Sequence, residues 1–60
     1  MIKLGISAFY HDAAACITIN GKVIAAVEEE RFTEIKHDYR FPVRSINWCL
    51  QHARIKINQI

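Results

Sequence analysis

The fold is decided by residues 14–28, AACITINGKVIAAVE, in which two apolar runs are joined by the pair Asn20-Gly21. An Asn-Gly pair readily adopts the two positive φ angles of a type I′ turn, and this turn matches the twist of paired antiparallel strands. We therefore predict strands at residues 14–20 and 22–28 that form a hairpin.

The segment before the hairpin predicts another strand. Residues 3–8 carry apolar side chains at positions 4, 6 and 8 and polar or small residues between them. This strand is expected to join the hairpin as a three-stranded antiparallel meander. Gly5 lies inside it, where a glycine usually marks a close approach of backbone or ligand. Neither face of the sheet is polar, so both are expected to be covered in the intact molecule.

A helix is predicted downstream of the sheet, at about residues 43–53. It is expected to begin near Pro42, because proline is favoured in the first helical position. Apolar side chains recur there with helical spacing and form one stripe, made of Val43, Ile46, Cys49, Leu50 and Ala53. Trp48 flanks the stripe and is interpreted as a packing residue. The predicted fold class is therefore α/β.

Composition limits what the chain can be. It has 60 residues, of which 52% are hydrophobic, and so short a chain cannot hide that much apolar surface from water by itself. We interpret residues 1–60 as a piece of a larger protein, or as a unit that must associate. The net charge of +2 does not predict nucleic-acid binding, and no apolar run approaches the ~20 residues of a membrane span. Cys16 and Cys49 are expected to be buried, reduced thiols, which favours a cytoplasmic location.

The connection between the first two strands is the first candidate site. It carries a phenol, an imidazole and a carboxylate in succession, Tyr10, His11 and Asp12. A short connection between two strands would normally carry turn-forming residues such as Asn-Gly instead. His11 is a candidate catalytic base, because a neutral imidazole exchanges protons near pH 7. Asp12 could orient a donor, hold a metal-bound water, or only accept hydrogen bonds from its own turn.

The second candidate site is the charged segment 28–41, which also contains several aromatic residues. Arg31 and Lys36 could bind a phosphate or a carboxylate. The alternative is a surface ion-pair network that contributes little energy. The histidines lack the spacing of a zinc site, and Gly5 and Gly21 are too far apart for a glycine-rich phosphate loop. We expect this segment to border an active site or an interface.

The order of motifs, LGISAFYHDAAA at residues 4–15, EEERFT at 28–33, KHD at 36–38 and FP at 41–42, resembles the amino terminus of the carbamoyltransferase family. That family includes the nodulation-factor, cephalosporin and aminoglycoside O-carbamoyltransferases. The resemblance implies the amino-terminal part of an actin/Hsp70-like ATPase fold. It also implies an enzyme of secondary metabolism that moves a carbamoyl group from carbamoyl-adenylate, made from carbamoyl phosphate and ATP, to a hydroxyl of a small molecule.

The resemblance also implies roles for individual residues. His11 is expected to be the base that deprotonates the acceptor hydroxyl, with Asp12 beside the adenylate or its metal. The expected cofactor-binding residues are Tyr10, Ala13, Arg31, Lys36 and His37. Iron or another divalent metal is expected in the parent protein, with its ligands outside this chain, as is the domain that forms the adenylate.

Two positions depart from the family pattern. Ala13 stands where many members have Ser, and Glu34 stands where a basic residue is common, which weakens a phosphate role for that face.

Two other functions stay open. The alternatives are another ATPase or kinase of the same superfold and a non-catalytic structural fragment that associates. By itself the 60-residue chain is expected to be inactive, since the remainder of the parent protein would complete the site.

Overall fold

The computed structural model describes residues 1–9 and 12–60. The chain forms strands β1 (Ile2–Ser7), β2 (Ala14–Ile19) and β3 (Lys22–Glu28), then the short helix α1 (Glu30–Thr33) and the longer helix α2 (Val43–Ala53). A 3₁₀ turn at Ile57–Gln59 follows. The strands pair antiparallel in the order β1-β2-β3. The predicted α/β arrangement, a three-stranded meander followed by a helix, is confirmed.

The hairpin between β2 and β3 turns at the predicted pair. Asn20 and Gly21 both have positive φ, 51° and 83°, and they connect the paired residues Ile19 and Lys22. The register of the β2–β3 pair shifts by one residue just after Ile17, which pairs with Ala25. Such a shift is typical of a β-bulge, which bends the strand that carries the extra residue.

Helix α2 packs across one face of the sheet. The core consists of Ala15, Ile17 and Ala25 from the strands and Cys49 from the helix, and partly buried aliphatic side chains surround them. The Cys49 thiol also donates a hydrogen bond of 3.5 Å to the main-chain oxygen of Ala15. Helix and sheet therefore share a small aliphatic core.

The opposite face of the sheet carries small residues. Gly5 lies across from Cys16 in the β1–β2 pair, and a Cβ atom at Gly5 would lie 2.9 Å from the Cys16 sulfur. The close approach that Gly5 predicted is therefore to this thiol. Cys16 is a free cysteine of intermediate burial, whereas Cys49 is fully buried, so only one of the two thiols is as buried as expected.

Several details differ from the predictions. Val43 is 52% exposed, so the apolar stripe of α2 begins at Ile46 instead. Pro42 is the residue that precedes the first helical turn, not part of it. Helix α1 was not predicted, because its four residues are too few for a periodic pattern. Within residues 1–9 and 12–60, no helix is both long enough and apolar enough to span a bilayer.

Candidate active site

Two of the predicted site residues meet at the end of the sheet. The Nδ1 atom of His37 lies 2.8 Å from the Oδ1 atom of Asp12, although the two residues are 25 positions apart. Both are accessible, with side-chain exposures of 68% for His37 and 38% for Asp12. The fold therefore joins the first candidate site to the second, which the sequence presented as separate segments.

Carboxylates give the surroundings of His37 a negative potential. The hydrogen bond to the Asp12 carboxylate is the main cause that raises the pKa of His37 above its ordinary value, and the charges of Asp12, Glu30 and Glu28 add to it. A raised pKa means that the cationic imidazolium persists closer to neutral pH. His37 is thus the cationic partner of the Asp12 carboxylate.

Asp12, Glu28 and Glu30 form one acidic group. Each offers a carboxylate oxygen, and these oxygens lie within 4.8 Å of one another. Such hard oxygen donors suit Mg²⁺ or Mn²⁺, whereas the imidazole ligands favoured by iron are missing from this group. The resemblance places the iron ligands outside this chain, so that expectation stays a prediction, and we derive no step through iron.

The other predicted site residues are distributed unevenly. Tyr10 and His11 lie outside the described residues. Arg31 is exposed and lines a groove together with Glu28 and Glu30. Lys36 is also exposed, directly before His37. Ala13 is fully buried, so it contributes no accessible side chain, and the cofactor role of all these residues stays a prediction.

Main-chain hydrogen bonds hold both ends of the loop between β1 and β2. The N–H of Phe9 donates to the carbonyl oxygen of Tyr39 at 2.5 Å, and the N–H of Ala13 donates to that of Asp38 at 2.6 Å. The carbonyl of Ala13 accepts from the N–H of Glu29 at 2.8 Å. The loop that contains Asp12 is therefore fixed both to Glu29, directly after β3, and to the segment 38–39.

The Asp38 side chain is buried, with 2% exposure, although it is charged. Its oxygens accept hydrogen bonds from the guanidinium of Arg40, at 3.1 Å from Nε and 3.0 Å from a terminal nitrogen, and from the Thr33 hydroxyl at 2.8 Å. The Arg40 side chain is the main cause that holds the pKa of Asp38 far below its ordinary value. Asp38 is therefore a structural anion.

Glu29 is the second buried carboxylate, with 1% exposure. One of its oxygens accepts from both the N–H and the hydroxyl of Ser45 at 2.8 Å, and the other accepts from the N–H of Arg44 at 3.3 Å. Burial acts to raise the pKa of Glu29, but these hydrogen bonds outweigh it, and the pKa lies below the ordinary value. Glu29 thus caps the amino terminus of α2 from a distant part of the chain.

Sequence reasoning missed these two roles, since it treated Glu29 and Asp38 only as parts of a charged segment that borders a site or an interface, or forms surface ion pairs. One signal existed for Glu29. The residues before α2, Phe41 and Pro42, have no side chain that can accept a hydrogen bond. The first N–H groups of a helix need an acceptor, so the missing cap indicates a distant one.

The His37–Asp12 contact predicts a measurable pKa. In the 60-residue chain we expect His37 to titrate above about 6.5, and Asp12→Asn to bring this pKa back toward that value. NMR of labelled histidines measures it, with His37→Gln to assign the signal and His52→Gln as the matched control. The pair stabilises the fold fully below about pH 6.5 and loses its contribution as the pH rises through the folded pKa. An unchanged His37 pKa in Asp12→Asn would contradict the contact.

Comparison with known proteins gives the family. Residues 2–60 match the family described as Carbamoyltransferase N-terminus. An uncharacterized protein of Synechocystis sp. is 53% identical over 57 residues, which are 95% of this chain and 9% of that protein. Nodulation protein NolNO of Sinorhizobium fredii is 50% identical over 52 residues, 87% of this chain and 8% of that protein. An uncharacterized 19.2 kDa protein of Rhizobium etli is 46% identical over 54 residues, 90% of this chain and 32% of that protein.

The chain thus spans about a tenth of the length of the first two relatives. The family match, in contrast, extends over nearly all of its residues and includes both halves of the Asp12–His37 contact. The chain therefore belongs to the carbamoyltransferase N-terminal family.

Proposed function

We propose that this chain is the amino-terminal segment of an O-carbamoyltransferase and forms one wall of its transfer site. The match of residues 2–60 to the carbamoyltransferase amino terminus carries the proposal. The contact between Asp12 and His37 supports it, because it joins two separate motifs of the family resemblance at one end of the sheet.

In this proposal His11 is the general base. Its neutral imidazole accepts the proton of the acceptor hydroxyl while the hydroxyl oxygen bonds to the carbamoyl carbon. The bond from that carbon to the phosphate oxygen of carbamoyl-adenylate breaks, and AMP leaves with the electron pair. The products are the carbamoylated acceptor, AMP and a protonated His11.

The remaining site residues bind and orient. The cationic form of His37, favoured by Asp12, faces the anionic phosphate of the adenylate, and the Arg31 and Lys36 side chains add positive charge along the same segment. Tyr10 is the further proposed nucleotide contact, whereas Ala13 is buried and both of its main-chain groups are bonded within the chain. Carbamoyl phosphate and ATP supply the adenylate, which we assign to a domain beyond this chain, as we do the ligands of any iron or other divalent metal.

The rest of the parent protein is the proposed partner of the open sheet face. Small residues of β1 and β2 form that face, and β3 adds Ala26, which is exposed. Such a face packs closely against another layer, and the proposed actin/Hsp70-like fold provides one. We propose a cytoplasmic enzyme whose acceptor is a small molecule with a free hydroxyl.

The proposed function is tested by identifying which nucleotide, AMP or ADP, the enzyme releases. Purified full-length protein is incubated with ATP, carbamoyl phosphate and a set of hydroxyl acceptors, and chromatography separates AMP from ADP. We expect AMP release that requires carbamoyl phosphate, together with a carbamoylated acceptor found by mass spectrometry. ADP release without carbamoyl phosphate would contradict this function and favour a kinase or another ATPase of the same superfold.

A second candidate role concerns the 60-residue chain by itself. Large apolar side chains are exposed along it, among them Phe9 at 71%, Val23 at 62% and Tyr39 at 60%. Exposed apolar surface and open strand edges favour association. We expect the isolated chain to self-associate without catalysing carbamoyl transfer. Sedimentation that shows only monomer at high concentration, or transfer activity of the isolated chain, would contradict this role.

A further inference from the structure

We propose that Asp38, Arg40 and Thr33 form a latch that positions His37 and the loop between β1 and β2 for the reaction. The latch is the buried Asp38 carboxylate together with its two side-chain partners. It rests on the proposed function, because it gives these residues a role in the carbamoyl-transfer site. None of the three contacts the reacting groups in this assignment, so they are positioning residues.

The latch lies on the main chain at the point that holds the loop between β1 and β2. The carbonyl of Asp38 accepts from Ala13, and the carbonyl of the next residue, Tyr39, accepts from Phe9. Two successive carbonyls thus bind both ends of a short loop that has Asp12 within it. His37 precedes Asp38 directly, so the same segment also sets the position of the imidazole against the Asp12 carboxylate.

The backbone is strained at two residues that this segment holds, one in the loop and one next to Asp38. Phe9 and His37 have φ angles of 68° and 57°, in the left-handed region that is unfavourable for a residue with a side chain. Such conformations persist only where the surrounding structure imposes them, and they are concentrated at functional sites. The main-chain bond to Phe9 and the turn bond from the Asp38 N–H to the Ile35 carbonyl, at 3.1 Å, hold them here.

The Asp38 side chain is held rigidly by its hydrogen-bond partners. Arg40 contacts both carboxylate oxygens through its planar guanidinium, and its main-chain N–H donates to Oδ1 at 3.1 Å. The Thr33 hydroxyl ties the same carboxylate to the end of α1. A bidentate pair fixes direction as well as distance. Few other orientations of the 37–39 segment would preserve all of these bonds.

The test uses a graded set of variants. Arg40→Gln removes the charge, Arg40→Lys keeps the charge without the fork, and Thr33→Val removes one hydrogen bond with little change in shape. Arg54→Gln, at the exposed carboxyl end of α2, is the matched control. The first measurement is the His37 pKa in the 60-residue chain, by NMR. Arg40→Gln also removes a positive charge close to His37, which by itself raises the pKa. We therefore expect a fall toward about 6.5 in Thr33→Val and Arg40→Lys, which keep the charge, and no change in Arg54→Gln.

The second measurement is carbamoyl transfer by the full-length enzyme. Misplacement of a catalytic group costs up to about 100-fold in rate, so we expect Arg40→Gln to lower kcat by roughly 10- to 100-fold with KM for ATP and carbamoyl phosphate nearly unchanged. Arg40→Lys should recover part of kcat. The latch would be overturned if the variants lose activity only in proportion to the folded protein that they lose. In that case the KM and the His37 pKa of the folded fraction would be unchanged.

The two measurements separate the latch from the proposed function. An unmutated enzyme that does not transfer carbamoyl groups would end the function, while the His37 pKa would still decide whether the latch positions the imidazole. If Arg40→Gln does not fold, the His37 pKa and kcat are measured in Thr33→Val and Arg40→Lys instead, and those values test the latch. An active enzyme in which these variants leave the His37 pKa and kcat unchanged would overturn the latch and leave the function intact.

Discussion

Replacing His11 by Ala or Asn in the full-length protein should abolish acceptor carbamoylation and leave formation of the adenylate intact. General-base catalysis contributes about 10²- to 10⁴-fold to a rate, so transfer should fall by about that factor. Asn keeps a polar side chain of similar reach but cannot accept a proton near pH 7. The two half-reactions are followed separately, the first as pyrophosphate release and the second as carbamoylated product.

The matched control is His52→Ala, because His52 is exposed on α2 and stacks on Trp48 with ring centroids 4.9 Å apart. It should leave both half-reactions unchanged. Normal turnover in His11→Ala would end the assignment of the base. If His11→Ala loses both adenylate formation and carbamoyl transfer, His11 binds the nucleotide. That result would reject its role as a base specific to the acceptor.

The largest expected effect on stability comes from Glu29→Ala, which should lower the free energy of unfolding by about 3 kcal/mol. The change removes a buried acceptor and leaves the Ser45 hydroxyl and the N–H groups of Ser45 and Arg44 without it. Unpaired buried donors cost more than the original bonds contributed, because they have also lost water. A domain of this size has little stability to spare. Urea unfolding followed by circular dichroism measures the difference.

Two further variants make the Glu29 prediction sharper. Glu29→Gln keeps the shape but replaces one acceptor by a donor, so it should cost about half as much as Ala. Ser45→Ala, combined with Glu29→Gln in a double-mutant cycle, should show a coupling of about 1 kcal/mol. Glu34→Gln, an exposed carboxylate of the same segment, is the control and should stay within about 0.5 kcal/mol of the original chain. A Glu29→Ala chain as stable as this control would show that α2 does not depend on its distant cap.

Local patterns were sufficient for the sheet and the long helix. Asn20-Gly21 specified the hairpin because only a few dipeptides adopt two successive positive φ angles without strain. The helix followed from periodic apolar residues, although Val43 turned out to be exposed. Both signals depend on residues close in sequence, which is why they could be recognised without coordinates.

The acidic and basic residues after the sheet were beyond such patterns. The run Glu28-Glu29-Glu30 is uniform in sequence, yet Glu29 is buried under α2 while its neighbours join Asp12. Burial of a charge is decided by which donors the rest of the fold brings to it. In the same way Asp38 is buried because Arg40 and Thr33 surround it.

The sequence by itself determined the strands, the turn, the long helix and the family, and it pointed to Asp12 and His37 as site residues. Only the tertiary structure decided that these two touch, that Glu29 caps a helix that begins 14 residues later, and that Asp38 anchors the loop. The physical reason is distance along the chain: turns and periodicity act over a few residues, whereas a carboxylate takes its role from donors that folding brings from far away.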